Sequence, residues 1–212
     1  MDKKYLYASL SIVALAALIT WFIYPHLPEQ VPSHWNAAGQ VDAYQSRHFH
    51  VFFFLGLSAF LPILMMILPY LDPKYSNIQK FAPNFGFFVV LMTSFFVALY
   101  GYTTLSALGY EFPINYFIIP AISILFFGVG RLLQVSKRNY SIGIRTPWTL
   151  NSDKNWDETH RVGSKVFTYG SFLLLPTVIL GDAAIFVFLG TLLAMLIMTV
   201  GYSFWYYWKF ER

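Results

Sequence analysis

Six long apolar runs, separated by polar loops, constrain this chain more than any other feature. They cover Tyr5–Tyr24, Phe49–Leu71, Phe85–Leu108, Ile114–Gln134, Val166–Leu180 and Ala184–Trp208. A helix that crosses a bilayer needs about 20 mostly apolar residues. Five runs meet that length. The fifth, Val166–Leu180, does so only if its helix begins inside the preceding loop. Spans of this number take more than half of the 212 residues and leave no room for a soluble domain of ordinary size. Only 11% of the residues are charged, against roughly 25% in an average soluble domain. The high apolar content excludes a disordered chain. The absence of cysteine excludes a disulfide scaffold and a cysteine-based zinc or redox site. Pro62, Pro120 and Pro176 fall inside runs. Neighbouring helices can re-satisfy the freed carbonyls, so these predict kinks rather than breaks.

Lys3 and Lys4 with Ala14-Leu15-Ala16 imitate a signal peptide, but cleavage there would leave an apolar core of only nine residues, Tyr5 to Val13. The run continues to Tyr24, so it reads as an uncleaved first span. With six spans the loops alternate sides. Thirteen of the fourteen basic residues then fall on one side, with the termini, and Arg47 alone on the other. Basic residues are retained in the cytoplasm, so both termini are predicted to be cytoplasmic. Five or seven spans would scramble that split. Six acids share the inner side and four the outer, which makes the inner surface +7 and the outer −3. The overall charge of +4 is therefore a topology signal and requires no direct nucleic-acid contact. Trp21, Tyr24, Trp205, Tyr206, Tyr207 and Trp208 lie at run ends, where amphipathic rings favour the headgroup layer.

The run interiors carry no Asp, Glu, Lys or His, and Arg131 lies near a cytoplasmic end where it can snorkel. Ion-coupled transport and intramembrane hydrolysis need ionisable groups at depth, so those classes are disfavoured. Thr93, Ser94, Thr103 and Thr104 are expected to hydrogen-bond between helices.

Two polar loops on opposite sides hold the remaining information. The outer one, Tyr24 to Arg47, contains Pro25, Pro28 and Pro32, which stiffen it, and Gly39, which marks a turn. It is expected to form a compact hairpin or Ω-like loop. His26, His34, His48 and His50 lie in or beside it. His48 and His50, two apart, suit a strand face better than a helix face. Metal binding and pH sensing are alternatives to a structural role, in which His34, beside Trp35 and Asn36, satisfies buried loop backbone. No zinc motif is present, and no metal or other cofactor is expected. In the inner loop, Asn139 to Lys165, Ser152 or Asp153 is a good helix N-cap. A helix from Asp153 would run into the fifth span with Trp156, Thr159/His160, Gly163 and Val166/Phe167 on one packed face. Lys154, Asp157, Glu158, Arg161 and Lys165 would mostly face water. His160 with Asp153 or Asp157, and Ser152 or Thr149 as nucleophile, form an enzymatic alternative, but no nucleophile elbow or phosphate loop is present. Arg145 and Arg161 are expected to pair with Asp153, Asp157 and lipid headgroups rather than to hold a substrate phosphate.

The outer run Tyr-Pro-x-Leu-Pro-x-x-Val-Pro-x-His-Trp-Asn-x-x-Gly-x-x-Asp, Tyr24 to Asp42, is similar to the N-terminal module of the SdpI family of bacterial membrane proteins. The inner run Ile142-Gly143-Ile144-Arg145-Thr146-Pro147-Trp148-Thr149-Leu150, followed by Ser152-Asp153, Trp156 and Thr159-His160-Arg161, resembles the family's second hallmark. Ser164 stands where a second glycine often follows Gly163, and Arg47 where lysine is common. The resemblance covers nearly the whole chain. It implies immunity to a secreted peptide toxin and, as in the founding system, recruitment of a small transcriptional repressor to the membrane.

The expected fold is therefore an all-α protein of the plasma membrane, with six transmembrane helices, an ordered outer loop 1–2 and an ordered inner loop 4–5. Residues 1–48 hold the first span and the outer loop, 49–134 spans two to four, 135–165 the inner loop, and 166–212 spans five and six. Pro32, His34, Trp35, Asn36 and Asp42 are the expected ligand residues outside. Arg145, Thr146, Pro147, Trp148, Thr149, Trp156, His160 and Arg161 are the expected signalling residues inside. The partners implied are the lipid bilayer, a peptide toxin and a repressor. The protein is expected not to be an enzyme; the alternatives are a small membrane enzyme or a transporter acting on lipid or cell-envelope substrates.

Overall fold

The computed structural model describes residues 1–110 and 112–212, and at 182 the backbone alone. Among the described residues, six helices are long and apolar enough to cross a membrane. They are α1 (Lys3–Ile23), α2 (Arg47–Ile67), α4 (Ala82–Ala107), α5 (Asn115–Val135), α7 (Asp153–Leu174) and α8 (Ala184–Phe210). Two helices of five residues, α3 (Tyr75–Gln79) and α6 (Pro147–Asn151), lie in the loops. The fifth span is one piece from Asp153, as its N-cap foretold: Ser152 Oγ accepts from the Asn155 N–H. After α7 the chain tightens into a 3₁₀ segment, Leu175–Ala183, with Pro176 near its start. Pro62 and Pro120 are accommodated inside α2 and α5.

The helices are turned inside out relative to a soluble bundle. Large apolar side chains such as Trp21, Phe52, Leu71 and Ile179 are exposed. Small or hydroxyl residues such as Ser9, Ser58, Ser123, Thr199 and Ser203 are buried. An exposed apolar surface of this extent would aggregate in water and is what a lipid-facing surface requires, since close packing by small residues holds helices together where water supplies no driving force.

Packing divides the helices into two groups of three. In the first, α1, α2 and α4 pack on one another; in the second, α7 packs on both α5 and α8. The groups are joined by α4 against α5, and α2 and α8 do not form a packed pair. A core of Met66, Ile78, Phe81, Phe85, Val89 and Leu132 spans the join.

The outer loop is a β-hairpin, which an all-α description omits. β1 (Gln30–Trp35) pairs antiparallel with β2 (Val41–Ser46), with irregular register on either side of His34. Asn36 closes the turn: its Oδ1 accepts from the Ala38 and Gln40 N–H groups, both at 3.0 Å. Gly39 takes the positive φ of +76° that the turn demands. The last strand residue, Ser46, is also the N-cap of α2, accepting from the Phe49 N–H. Strand and span are thereby fused without a linker. This overturns the strand-face reading of His48 and His50, both of which lie in the first turns of α2.

Candidate functional site

The hairpin is anchored at its base. The Arg47 guanidinium donates to the Leu27 carbonyl at 3.0 Å and lies over the Tyr24 ring, and the Arg47 N–H donates to the Glu29 carbonyl. Leu27 and Val31 are buried beneath it. Three residues after Arg47, His50 is completely buried. Its ring meets Thr104 Oγ1 at 3.0 Å and Gln45 Nε2 at 3.3 Å, and stacks on Tyr100, whose hydroxyl meets Thr20 at 2.8 Å. One polar chain thus ties the hairpin, α2, α4 and α1 together. The absence of histidine from span interiors does not hold at this point. Of the span hydroxyls expected to bridge helices, only Thr104 does so; Thr93, Ser94 and Thr103 bond to carbonyls of their own helix.

The outer residues singled out from the sequence separate into three settings. Pro32 and Trp35 line a cleft of about 610 Å³ together with Tyr44, Ser106, Phe112 and Pro113, between the hairpin and the α4–α5 connection. Trp35 leans on Tyr102 with ring centroids 5.6 Å apart. Asn36 is committed to its turn. His34 does not satisfy buried backbone: its side chain is 67% exposed and its Nδ1 meets Asp42 Oδ1 at 2.5 Å. His48 is bonded to the Tyr24 hydroxyl. Among the described residues no group of three or more His, Asp or Glu side chains converges as a metal site.

The inner loop is built around two buried rings. Trp156 and His160, one turn apart on α7, stack at 4.0 Å with planes 15° apart. Trp156 Nε1 donates to the Ser136 carbonyl at 3.2 Å. His160 Nε2 accepts from the Ile144 N–H at 3.0 Å, so that nitrogen carries no proton. The proton lies on Nδ1, which donates to the Trp156 carbonyl at 2.8 Å. Gly143 passes beside these rings with φ +124°, and a Cβ there would collide with His160 Nε2 and press on the Trp156 rim at 3.1 Å. Thr146 and Thr149 then form a reciprocal capping box that starts α6.

Neither Asp153 nor Asp157 contacts His160. Asp153 pairs with Arg138 at 2.6 Å and Asp157 with Lys137 at 3.4 Å. Thr149 is buried in its cap. The catalytic pair considered for this loop is therefore not assembled. The expected ion pairs are rearranged as well: Arg161 pairs with Glu158 at 2.6 Å, and Arg145 donates to the Tyr140 carbonyl at 2.7 Å with no acid partner among the described residues. Trp148 packs on Phe204 of α8, and Pro147 is exposed.

Three polar residues that the sequence reading passed over fix the loop's path. Asp72, buried at the end of the second span, accepts from the Tyr140 N–H at 2.8 Å and the Ser141 hydroxyl at 2.6 Å. Asn139, fully buried, accepts from the N–H groups of Ser141 and Ile142 and donates to the carbonyls of Lys137 and Ile142. Asn155 donates to the Ser203 carbonyl and to Glu211, which also accepts from Ser152 and so secures the end of α8. A lone acid at the end of an apolar run was the one available signal for Asp72.

These two constructions coincide with two matches to known families. Residues 136–203 match the SdpI/YfhL protein family, and residues 11–66 match a domain of unknown function (DUF1648). The chain is also 28% identical over 205 residues to the Immunity protein SdpI of Bacillus subtilis, covering 95% of each protein. Its second half is similar to the SdpI/YfhL family. No solved structure matches. The SdpI/YfhL segment runs from the Ser136 carbonyl that receives Trp156 to Ser203, whose carbonyl receives Asn155. The first and last residues of the matched segment are thus partners of the buried side chains of α7. The other match takes in most of α1, the whole hairpin and nearly all of α2. With six helices long and apolar enough to span among its described residues, the chain is a multi-pass membrane protein, and it covers the SdpI relative almost end to end.

Proposed function

We propose that this chain is an immunity protein of the bacterial plasma membrane that protects its cell from a secreted peptide toxin. The single observation that carries the reading is the similarity to the Immunity protein SdpI across 95% of both chains, through both ordered loops. The hairpin faces outward and meets the toxin in the cleft lined by Pro32 and Trp35, with the exposed His34–Asp42 pair beside it. Asn36 contributes by holding the turn. The termini and the 135–165 loop are cytoplasmic, supported by thirteen of fourteen basic residues on that side. There Arg145, Pro147, Trp148 and Arg161 are accessible to a small repressor. Thr146, Thr149, Trp156 and His160 are buried and shape the surface the repressor meets. The protein acts by binding and not by catalysis.

Expression in a bacterium killed by such peptides tests the function. The wild-type chain is expected to restore growth, and the double substitution Pro32→Ala with Trp35→Ala to lose that protection at unchanged protein level. Killing by every related peptide, undiminished by the wild-type chain, would refute immunity. The orientation has its own test, made simple by the absence of native cysteine. A cysteine at Ala38 is expected to react with an impermeant maleimide in intact cells, and one at Lys154 only after lysis. Equal labelling of both in intact cells would overturn the topology.

A further inference from the structure

The two groups of helices meet through α4 and α5, and α2 and α8 flank the opposite side without packing together. Between them lies a cleft of about 470 Å³, within the range of about 300–1,000 Å³ in which proteins hold small ligands. Its walls are apolar: Met65 of α2, Phe88 of α4, Leu133 of α5, Phe167 of α7, and Leu196 and Val200 of α8. Leu196 and Val200 are about half exposed, so the cleft is open along its flank to the surface that faces lipid. Its end is closed by the inner loop, residues 141–146, and at that end lies Arg145. The Arg145 guanidinium spends one N–H on the Tyr140 carbonyl. It has no acid partner among the described residues, whereas Arg138 and Arg161 each have one. An apolar slot open to the bilayer, ending in an unneutralised guanidinium with free donors, matches one chemistry: an acyl chain joined to a phosphate.

We propose that this cleft is a binding site for one anionic phospholipid, its chain between α2 and α8 and its phosphate on Arg145. The assignment goes beyond immunity and does not depend on it. A peptide segment fits less well, because its backbone polar groups would have no partners along the apolar walls. The bound lipid seats against residues 141–146, the stretch whose path Gly143, His160 and Asp72 determine, so the occupied cleft and the inner loop form one unit.

The test uses the full-length protein in detergent, offered equal amounts of phosphatidylglycerol and phosphatidylcholine and read by native mass spectrometry. Wild-type protein and Arg161→Gln are expected to retain one phosphatidylglycerol in preference. Arg145→Gln is expected to lose that preference by roughly tenfold, the value of one charge-assisted contact. Leu196→Trp, which fills the slot, is expected to retain neither lipid. Equal retention of both lipids by the wild type, or an undiminished preference in Arg145→Gln, would overturn the proposal. Should Arg145→Gln fail to fold, Leu196→Trp decides alone: retention equal to wild type would sink it. Inorganic phosphate is expected to leave the preference unchanged. Competition by phosphate alone would mean an anion site without a chain and would also refute the assignment.

Discussion

Trp156→Ala is expected to cost about 3–5 kcal/mol of stability, the usual toll for truncating a fully buried tryptophan. It should release the inner loop before the helices separate. Trp156 is fully buried. Its ring is the plate on which His160 stacks at 4.0 Å, and its Nε1 satisfies the Ser136 carbonyl. Without the ring, that carbonyl loses its donor, and His160 loses the surface that aims Nε2 at the Ile144 N–H. Gly143, which lies against both rings, then keeps only His160 to pack against. Trp156→Phe keeps an aromatic plate and gives up one hydrogen bond, so its loss should be only about 1–2 kcal/mol. Thermal unfolding of the purified protein measures both, and limited proteolysis between residues 139 and 151 reports the loop. A Trp156→Ala protein that melts with the wild type and resists protease would show that the two rings do not hold this loop.

How far the sequence reveals this architecture depends on how far apart the partners lie. The spans, the packed face of α7 and the Ser152 cap are local patterns of period 3.6 or of single positions, and the chain displays them openly. The hairpin's compactness is legible from Pro32 and Gly39. Its strands are not, because β2 is largely exposed and β1 is irregular around His34, so no alternation of apolar and polar residues marks them. His50 is the clearest failure. Two residues after His48, it looks like one more loop histidine; only Thr104, 54 residues away, and Tyr100 make it a buried member of the bundle. Asp72 likewise acquires its role from Tyr140 and Ser141, 68 and 69 residues distant. The inner-loop charges expected mostly to face water do so, but their pairing is not legible: the pairs are Arg138–Asp153, Lys137–Asp157 and Arg161–Glu158, and Arg145 has no acid partner among the described residues. Which acid meets which base depends on the loop's path, and that path is fixed by the hydrogen bonds and packing of Asp72, Asn139, Gly143 and His160 rather than by ion pairs.

The same separation of local from tertiary effects gives a sharp expectation for two sets of helix glycines. Gly130→Ala should destabilise the protein by about 1–3 kcal/mol, the cost of overpacking a well-filled interface. Gly56→Ala and Gly101→Ala should be neutral or gain about 0.5–1 kcal/mol from the lower backbone freedom of alanine. A Cβ at Gly130 would lie 2.8 Å from the Thr168 nitrogen and 3.0 Å from the Ser164 carbonyl oxygen, both backbone atoms that no rotamer change can move. At Gly56 and Gly101 it would meet nothing within 4 Å. Within lipid there is no hydrophobic drive to hold α5 against α7, so their closeness at Gly130 must be repaid in van der Waals contact along the pair. Forcing the backbones apart forfeits contact at Leu133 and Phe167, which pack together in the core and also wall the cleft that ends at Arg145. Thermal unfolding of the three variants in one detergent compares them directly. Equal melting of Gly130→Ala and Gly101→Ala would mean that α5 and α7 can part without loss, and that their close approach is not what joins the second group of helices.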